Sequence, residues 1–128
     1  MKVLVVDDLP KVRERLTELL AGAKDIDLVA VAQDAKEATE LALSWNPDVV
    51  VLDLSVRGGR GMDVVQAVKK AKPTTVVIVS TILSYPDYRE ACLKWGADFF
   101  FDKATEFEKI AGVLKTLNLR AASQPDSA

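Results

Sequence analysis

Short continuous apolar runs alternate along the chain with stretches in which apolar residues recur every three or four positions. The runs lie near residues 2–6 (KVLVV), 27–32 (DLVAVA), 48–52 (DVVVL), 75–80 (TVVIVS) and 98–101 (DFFF), and predict five strands. The intervening stretches carry helical stripes. They are Val12, Leu16, Leu19 and Leu20; Ala38, Leu41, Ala42 and Trp45; Val64, Val65 and Val68; Tyr88, Ala91, Cys92 and Trp95; and Phe107, Ile110, Ala111, Leu114 and Leu117. Pro10 suits a first helical position, Asp34 can cap the second helix and Pro86 can open the fourth. Gly22, Asn46-Pro47, Pro73 and Gly96 mark helix ends. Parallel strands need helical crossovers, so this alternation predicts a five-stranded parallel sheet. The unbroken Val/Ile/Leu runs predict helices on both of its faces. RAASQPDSA, residues 120–128, is polar and weakly patterned, and is expected to be a disordered tail behind a domain of residues 1–119.

Composition narrows the function classes. The 128 residues suffice for one domain with a sizeable core. A net charge of −2 without a Lys/Arg block gives no footprint for nucleic acid or a membrane surface. No apolar run approaches the ~18 residues of a membrane span, and Asp7 and Asp8 interrupt the start of any secretion signal. Cys92 is the only cysteine, which excludes an internal disulfide and makes a cytoplasmic setting the default. It falls on a core-facing stripe and reads as a packing residue, while Trp45 and Trp95 read as core or half-buried. The absence of histidine excludes His-based zinc sites, Ser-His-Asp triads and phosphohistidine on this chain.

The chemistry collects at the strand ends. Open α/β sheets bind ligands at the carboxyl ends of their strands. Here strand one ends in Asp7-Asp8, strand three in Asp53, strand four in Ser80-Thr81, and strand five runs into Asp102-Lys103. Two carboxylates ~4 Å apart at an effective dielectric of ~20 repel by about 4 kcal/mol, so the cluster needs a cation. An all-oxygen donor set suits Mg2+ or Mn2+ better than zinc. A metal-adjacent Asp can act as a nucleophile towards phosphorus. The Thr81 hydroxyl and Lys103 ammonium can then bind phosphoryl oxygens, with Ser80 as the alternative hydroxyl. The glycines of RGGRG follow the third strand, not the first, and lack the spacing of a dinucleotide loop.

On "VLVVDD", "PDVVVLDLSVRGGRG", "VVIVST" and "WGADFFFDK", the chain resembles the receiver (CheY-like) domains of bacterial two-component response regulators, over about residues 2–117. The resemblance implies a flavodoxin-like (βα)5 fold with strand order 2-1-3-4-5. It also implies Asp53 as phosphoacceptor, Asp8 as a direct Mg2+ ligand, Asp7 acting through bound water, and the Ser55 backbone carbonyl as a further ligand. Thr81 and Lys103 take the switch-hydroxyl and phosphate-binding positions, and Phe100 that of the switch aromatic. The implied donor is a histidine kinase or phosphotransfer protein, and the role is signalling, not catalysis.

Three positions depart from the family pattern: Arg57 and Ala104 stand where proline is usual, and Ile82 where a small residue follows the switch hydroxyl. Arg57 is expected to point into solvent, and Ile82 is large enough to crowd access to Asp53. Phe99, Phe100 and Phe101 on an edge strand should face alternate sides. With Tyr85 and Tyr88 they predict a surface on the fourth helix, fifth strand and fifth helix for a downstream protein or a second copy. Two other readings stand beside this one. A phosphorylation-independent interaction module is the first. An aspartyl-nucleophile phosphatase is the second, and it lacks the second Asp that its general acid requires, because that position is Ser55.

Overall fold

Each strand begins within one residue of its predicted start: β1 Lys2–Val6, β2 Asp27–Val31, β3 Val49–Leu52, β4 Val76–Thr81 and β5 Phe99–Asp102. The helices between and after them are α1 Pro10–Leu19, α2 Ala35–Ser44, α3 Gly61–Ala71, α4 Pro86–Lys94 and α5 Phe107–Ser123. The computed structural model describes residues 1–7, 9–31, 34–55 and 60–123. All strand pairs are parallel and the sheet order is β2-β1-β3-β4-β5. The chain leaves β1 for one side and later returns through β3 on the other. A crevice therefore opens beyond the carboxyl ends of β1 and β3.

The two-residue period of the strands sorts the core into two layers. Leu4, Val50, Leu52 and Val79 pack with Ala38, Val65 and Cys92 from α2, α3 and α4. Val3, Val5, Val51 and Ile78 pack with Leu16, Ile110 and Leu114 from α1 and α5. Phe100 joins the first layer, while Phe99 and Phe101 lie on the second with ring centroids 6.1 Å apart. Helix starts follow the expected chemistry. Leu9 precedes Pro10 at the first turn of α1, Asp34 Oδ1 accepts the Glu37 amide at 2.7 Å, and Tyr85 precedes Pro86. Gly22 and Gly96, past α1 and α4, have φ of +87° and +110°, which side-chain-bearing residues rarely adopt.

Two expectations are corrected. The tail does not begin at residue 120: α5 continues to Ser123, and residues 124–128 lie outside the described part. Arg120 and Ala121 are strong helix formers, and the Asn118 side-chain amide ties the preceding turn to the Lys24 carbonyl at 2.8 Å. Trp95, expected in or against the core, is 49% exposed, whereas Tyr88, at 43%, is exposed as the expected α4 surface requires. The nine-residue α4 lies against the outer part of the sheet and reaches the core fully only through Cys92. Trp45 is half-buried as expected, and burial raises the Cys92 thiol above its ordinary pKa.

Two positions give stability predictions. A Cβ on Gly61 would lie 2.6 Å from the Leu54 Cα, because α3 starts against the loop that follows Asp53. Gly61→Ala should lower the stability measured by urea unfolding by about 1–3 kcal/mol; an unchanged midpoint would refute this close approach. Ser80 is 1% exposed, and its Oγ has no hydrogen-bond partner among the described residues. Ser80→Ala should therefore be neutral or stabilising by up to about 1 kcal/mol, and a clear loss would show that the hydroxyl is engaged.

Candidate functional site

Strand pairing extends one residue past the strands and fixes the backbone of the acidic edge. The Asp53 amide donates to the Val6 carbonyl at 2.9 Å, and the Lys103 amide to the Thr81 carbonyl at 2.9 Å. Asp7 and Asp53 thus stand at adjacent strand ends, with Lys103 approaching from the far side of β4. Its Nζ donates to Asp7 Oδ2 at 2.5 Å and to Asp53 Oδ2 at 2.8 Å. The three side chains are 11%, 4% and 6% exposed for Lys103, Asp7 and Asp53, so this bridge is largely withdrawn from solvent.

Each carboxylate gives its second oxygen to its own loop. Asp7 Oδ1 accepts the Leu9 amide at 2.9 Å, and Asp53 Oδ1 accepts the Ser55 amide at 3.1 Å. The acids are therefore hydrogen-bonded at both oxygens, which burial of a charge demands. Burial pulls the Lys103 ammonium down, but the hydrogen bonds and charges of Asp53 and Asp7 outweigh it and hold its pKa above the ordinary lysine range. Two carboxylates against one ammonium still leave a net charge of −1 (−2 + 1) on this trio.

A divalent cation fits that remainder. Asp7 and Asp53 already converge on one cationic group, the ammonium, through carboxylate oxygens, the ligand type that hard divalent cations take. Asp8 and Arg57 lie outside the described residues, so the structure does not place the expected direct ligand or the departing arginine. Ser55 is placed on the exposed loop directly after the acid.

Thr81 is fully buried, and its Oγ1 accepts the Leu83 amide at 3.1 Å. Phe100 is 6% exposed, in the layer that includes Val79 and Cys92. Ile82 is 66% exposed and turned to solvent. Sequence reasoning cast Lys103 only as a phosphate binder and missed its bridge to both acids. It also missed a bond from Ser84 Oγ to Asp102 Oδ2 at 2.7 Å, which joins the loop after β4 to the carboxyl end of β5. The signal available was an acid immediately before the lysine and a hydroxyl three residues after Thr81.

Residues 3–115 match the model of the response regulator receiver domain. Over 114 residues the chain is 36% identical to protein-glutamate methylesterase/protein-glutamine glutaminase 4 of Hahella chejuensis, covering 88% of this chain and 29% of that protein. It is 30% identical over 122 residues to the nitrate/nitrite response regulator NarL of Escherichia coli, covering 95% of this chain and 55% of that protein. The chain thus spans about half or less of the length of these relatives. Among solved structures, the response regulator domain of Thermotoga maritima CheB superposes with a TM-score of 0.77 at 28% identity, covering 98% of both chains.

Removing the ammonium should leave two buried acids uncompensated. Lys103→Met is expected to lose about 3 kcal/mol of unfolding free energy at neutral pH, with millimolar Mg2+ restoring part of it. Because the folded state raises this lysine's pKa, its contribution is fully present below the unfolded value, about 10.4, and is lost as pH rises through the folded value. The difference in stability between wild type and Lys103→Met should shrink above roughly pH 10. A difference that is constant with pH, or absent at neutrality, would refute the bridge.

Proposed function

The chain belongs to the response regulator receiver domain family, and on that premise we propose that Asp53 accepts a phosphoryl group from a histidine kinase or a phosphotransfer protein. The observation that carries the proposal is the buried Asp53 carboxylate sharing one ammonium with Asp7, beside the Thr81 strand end. In the transfer, an Asp53 oxygen attacks the donor phosphorus. The phosphorus–nitrogen bond breaks, and the departing imidazole keeps the electron pair and is left neutral or protonated by water.

Asp8, Asp53 and the Ser55 carbonyl would hold Mg2+ or Mn2+, with Asp7 acting through water. Bound there, the ion supplies charge neutralisation for the phosphoryl oxygens. Lys103 then passes from the Asp7–Asp53 pair to a phosphoryl oxygen, and the Thr81 hydroxyl donates to another. That hand-over shifts the population of a switch in which Thr81 and Phe100 move and the α4-β5-α5 surface changes. Tyr85, Tyr88 and Trp95, all exposed, support this surface as the contact for a downstream protein or a second copy.

This is a signalling role in a cytoplasmic setting. Among the described residues no helix is long and apolar enough to cross a membrane. The phosphatase reading finds no acid two residues after Asp53, because Ser55 stands there.

Incubation with acetyl phosphate and Mg2+ should add one phosphoryl group, about 80 Da by intact mass, to wild type and none to Asp53→Asn. No gain in either would turn the reading towards a phosphorylation-independent interaction module. Ser55 and Leu83, two after Asp53 and two after Thr81, include no general base for an attacking water. The phosphorylated protein should accordingly keep its phosphoryl group for minutes or longer once donor is removed. Loss within seconds would contradict that.

A further inference from the structure

The loop after β4 is joined to the last residue of β5 by a bond that phosphoryl binding does not require. Ser84 Oγ donates to Asp102 Oδ2 at 2.7 Å. The carboxylate it reaches is built into the turn that bears Lys103. Asp102 Oδ1 accepts the Ala104 amide at 2.8 Å, the Asp102 amide donates to Glu106 Oε1 at 3.1 Å, and the Glu106 amide returns to the Asp102 carbonyl at 2.8 Å. The Ser84 hydroxyl first, and the Ala104 amide second, hold the Asp102 carboxyl below its ordinary range, so it is ionised near neutrality. A hydroxyl on an ionised carboxylate is a strong hydrogen bond.

The other end of the loop is tied as well. The Leu83 amide donates to Thr81 Oγ1 at 3.1 Å. Thr81 and Asp102 are register partners on neighbouring strands, so both ties start from one rung of the sheet. The Leu83 amide holds one lone pair of the Thr81 hydroxyl, so any movement of that hydroxyl towards a group on Asp53 either draws the Leu83 amide along or breaks this bond. In the first case residues 82–84 shift with it, and Ser84 is the point at which they are fastened to the lysine-bearing turn.

We propose that the Ser84–Asp102 hydrogen bond is a latch that holds the β4–α4 loop at rest and governs how readily Thr81 turns towards Asp53. The proposal rests on the reading of Asp53 as phosphoacceptor. Ser84 and Asp102 are positioning residues, acting through Thr81 and the loop and not on the phosphoryl group itself. Opening the latch also moves Ile82 and Tyr85, 66% and 65% exposed, and so alters the surface beside α4.

The test compares wild type, Ser84→Ala and the hydroxyl-retaining Ser84→Thr. Three quantities are read: the initial rate of phosphoryl gain from acetyl phosphate with Mg2+, amide hydrogen exchange at Leu83 and Ser84 (or the substituted residue 84) without donor, and the melting temperature. Ser84→Ala should gain the group and exchange these amides about three- to tenfold faster, as loss of one hydrogen bond would allow. Its melting temperature should stay within about 3 °C of wild type, and Ser84→Thr should follow wild type in all three. If wild type is phosphorylated and Ser84→Ala matches it in rate, the latch is overturned. If wild type gains no phosphoryl group, the reading of Asp53 fails separately. Exchange then decides the latch: faster in Ser84→Ala supports it, and unchanged exchange overturns it.

Discussion

Two carboxylates meet at the carboxyl edge of this sheet, and the position of Lys103 makes that meeting possible. Its ammonium bridges Asp7 and Asp53, while loop amides take the remaining oxygens. Without a cation the two acids would repel at a site almost closed to water. With it, the trio still carries one uncompensated negative charge. The resting site is thus tolerable but not neutral, and that state suits a phosphoacceptor that must admit a metal ion and later a phosphoryl group. The strand order is what allows it, since β1 and β3 are neighbours and the turn after β5 reaches back across β4.

The fold was legible because its signals are local and repeated. Valine runs at a doubly covered sheet, Pro10 and Pro86 at helix starts, Asp34 as a cap and glycines at helix ends each act over a few residues, and all agree. The places where the sequence misled share a different character. Trp95 keeps helical spacing, but α4 lies at the outer part of the sheet, where spacing does not tell how far a helix is covered. Arg120 onward looks like a tail by polarity, yet helix propensity and the anchor at Asn118 carry α5 to Ser123.

The site was legible as a list of residues but not as a network. Motif spacing brought Asp7, Asp53, Thr81 and Lys103 to one edge. Which partner each side chain takes at rest depends on distances across strands 50 and 96 residues apart in sequence, and no local pattern encodes those. The same limit hid the bond between Ser84 and Asp102, 18 residues apart. In its resting form the chain uses the lysine as a counter-ion and the threonine as a loop tie. Both groups are therefore already engaged, and under the proposed function activation would consist of changing their partners.

The most direct measurement is a crystal structure of the chain with Mg2+ and beryllofluoride, a mimic of the phosphoryl group. The account predicts the mimic on Asp53, Lys103 Nζ moved from Asp7 to one of its fluorine atoms, and the Thr81 hydroxyl turned to another. A structure in which Lys103 still bridges Asp7 and Asp53, with no mimic on Asp53 under saturating conditions, would contradict it.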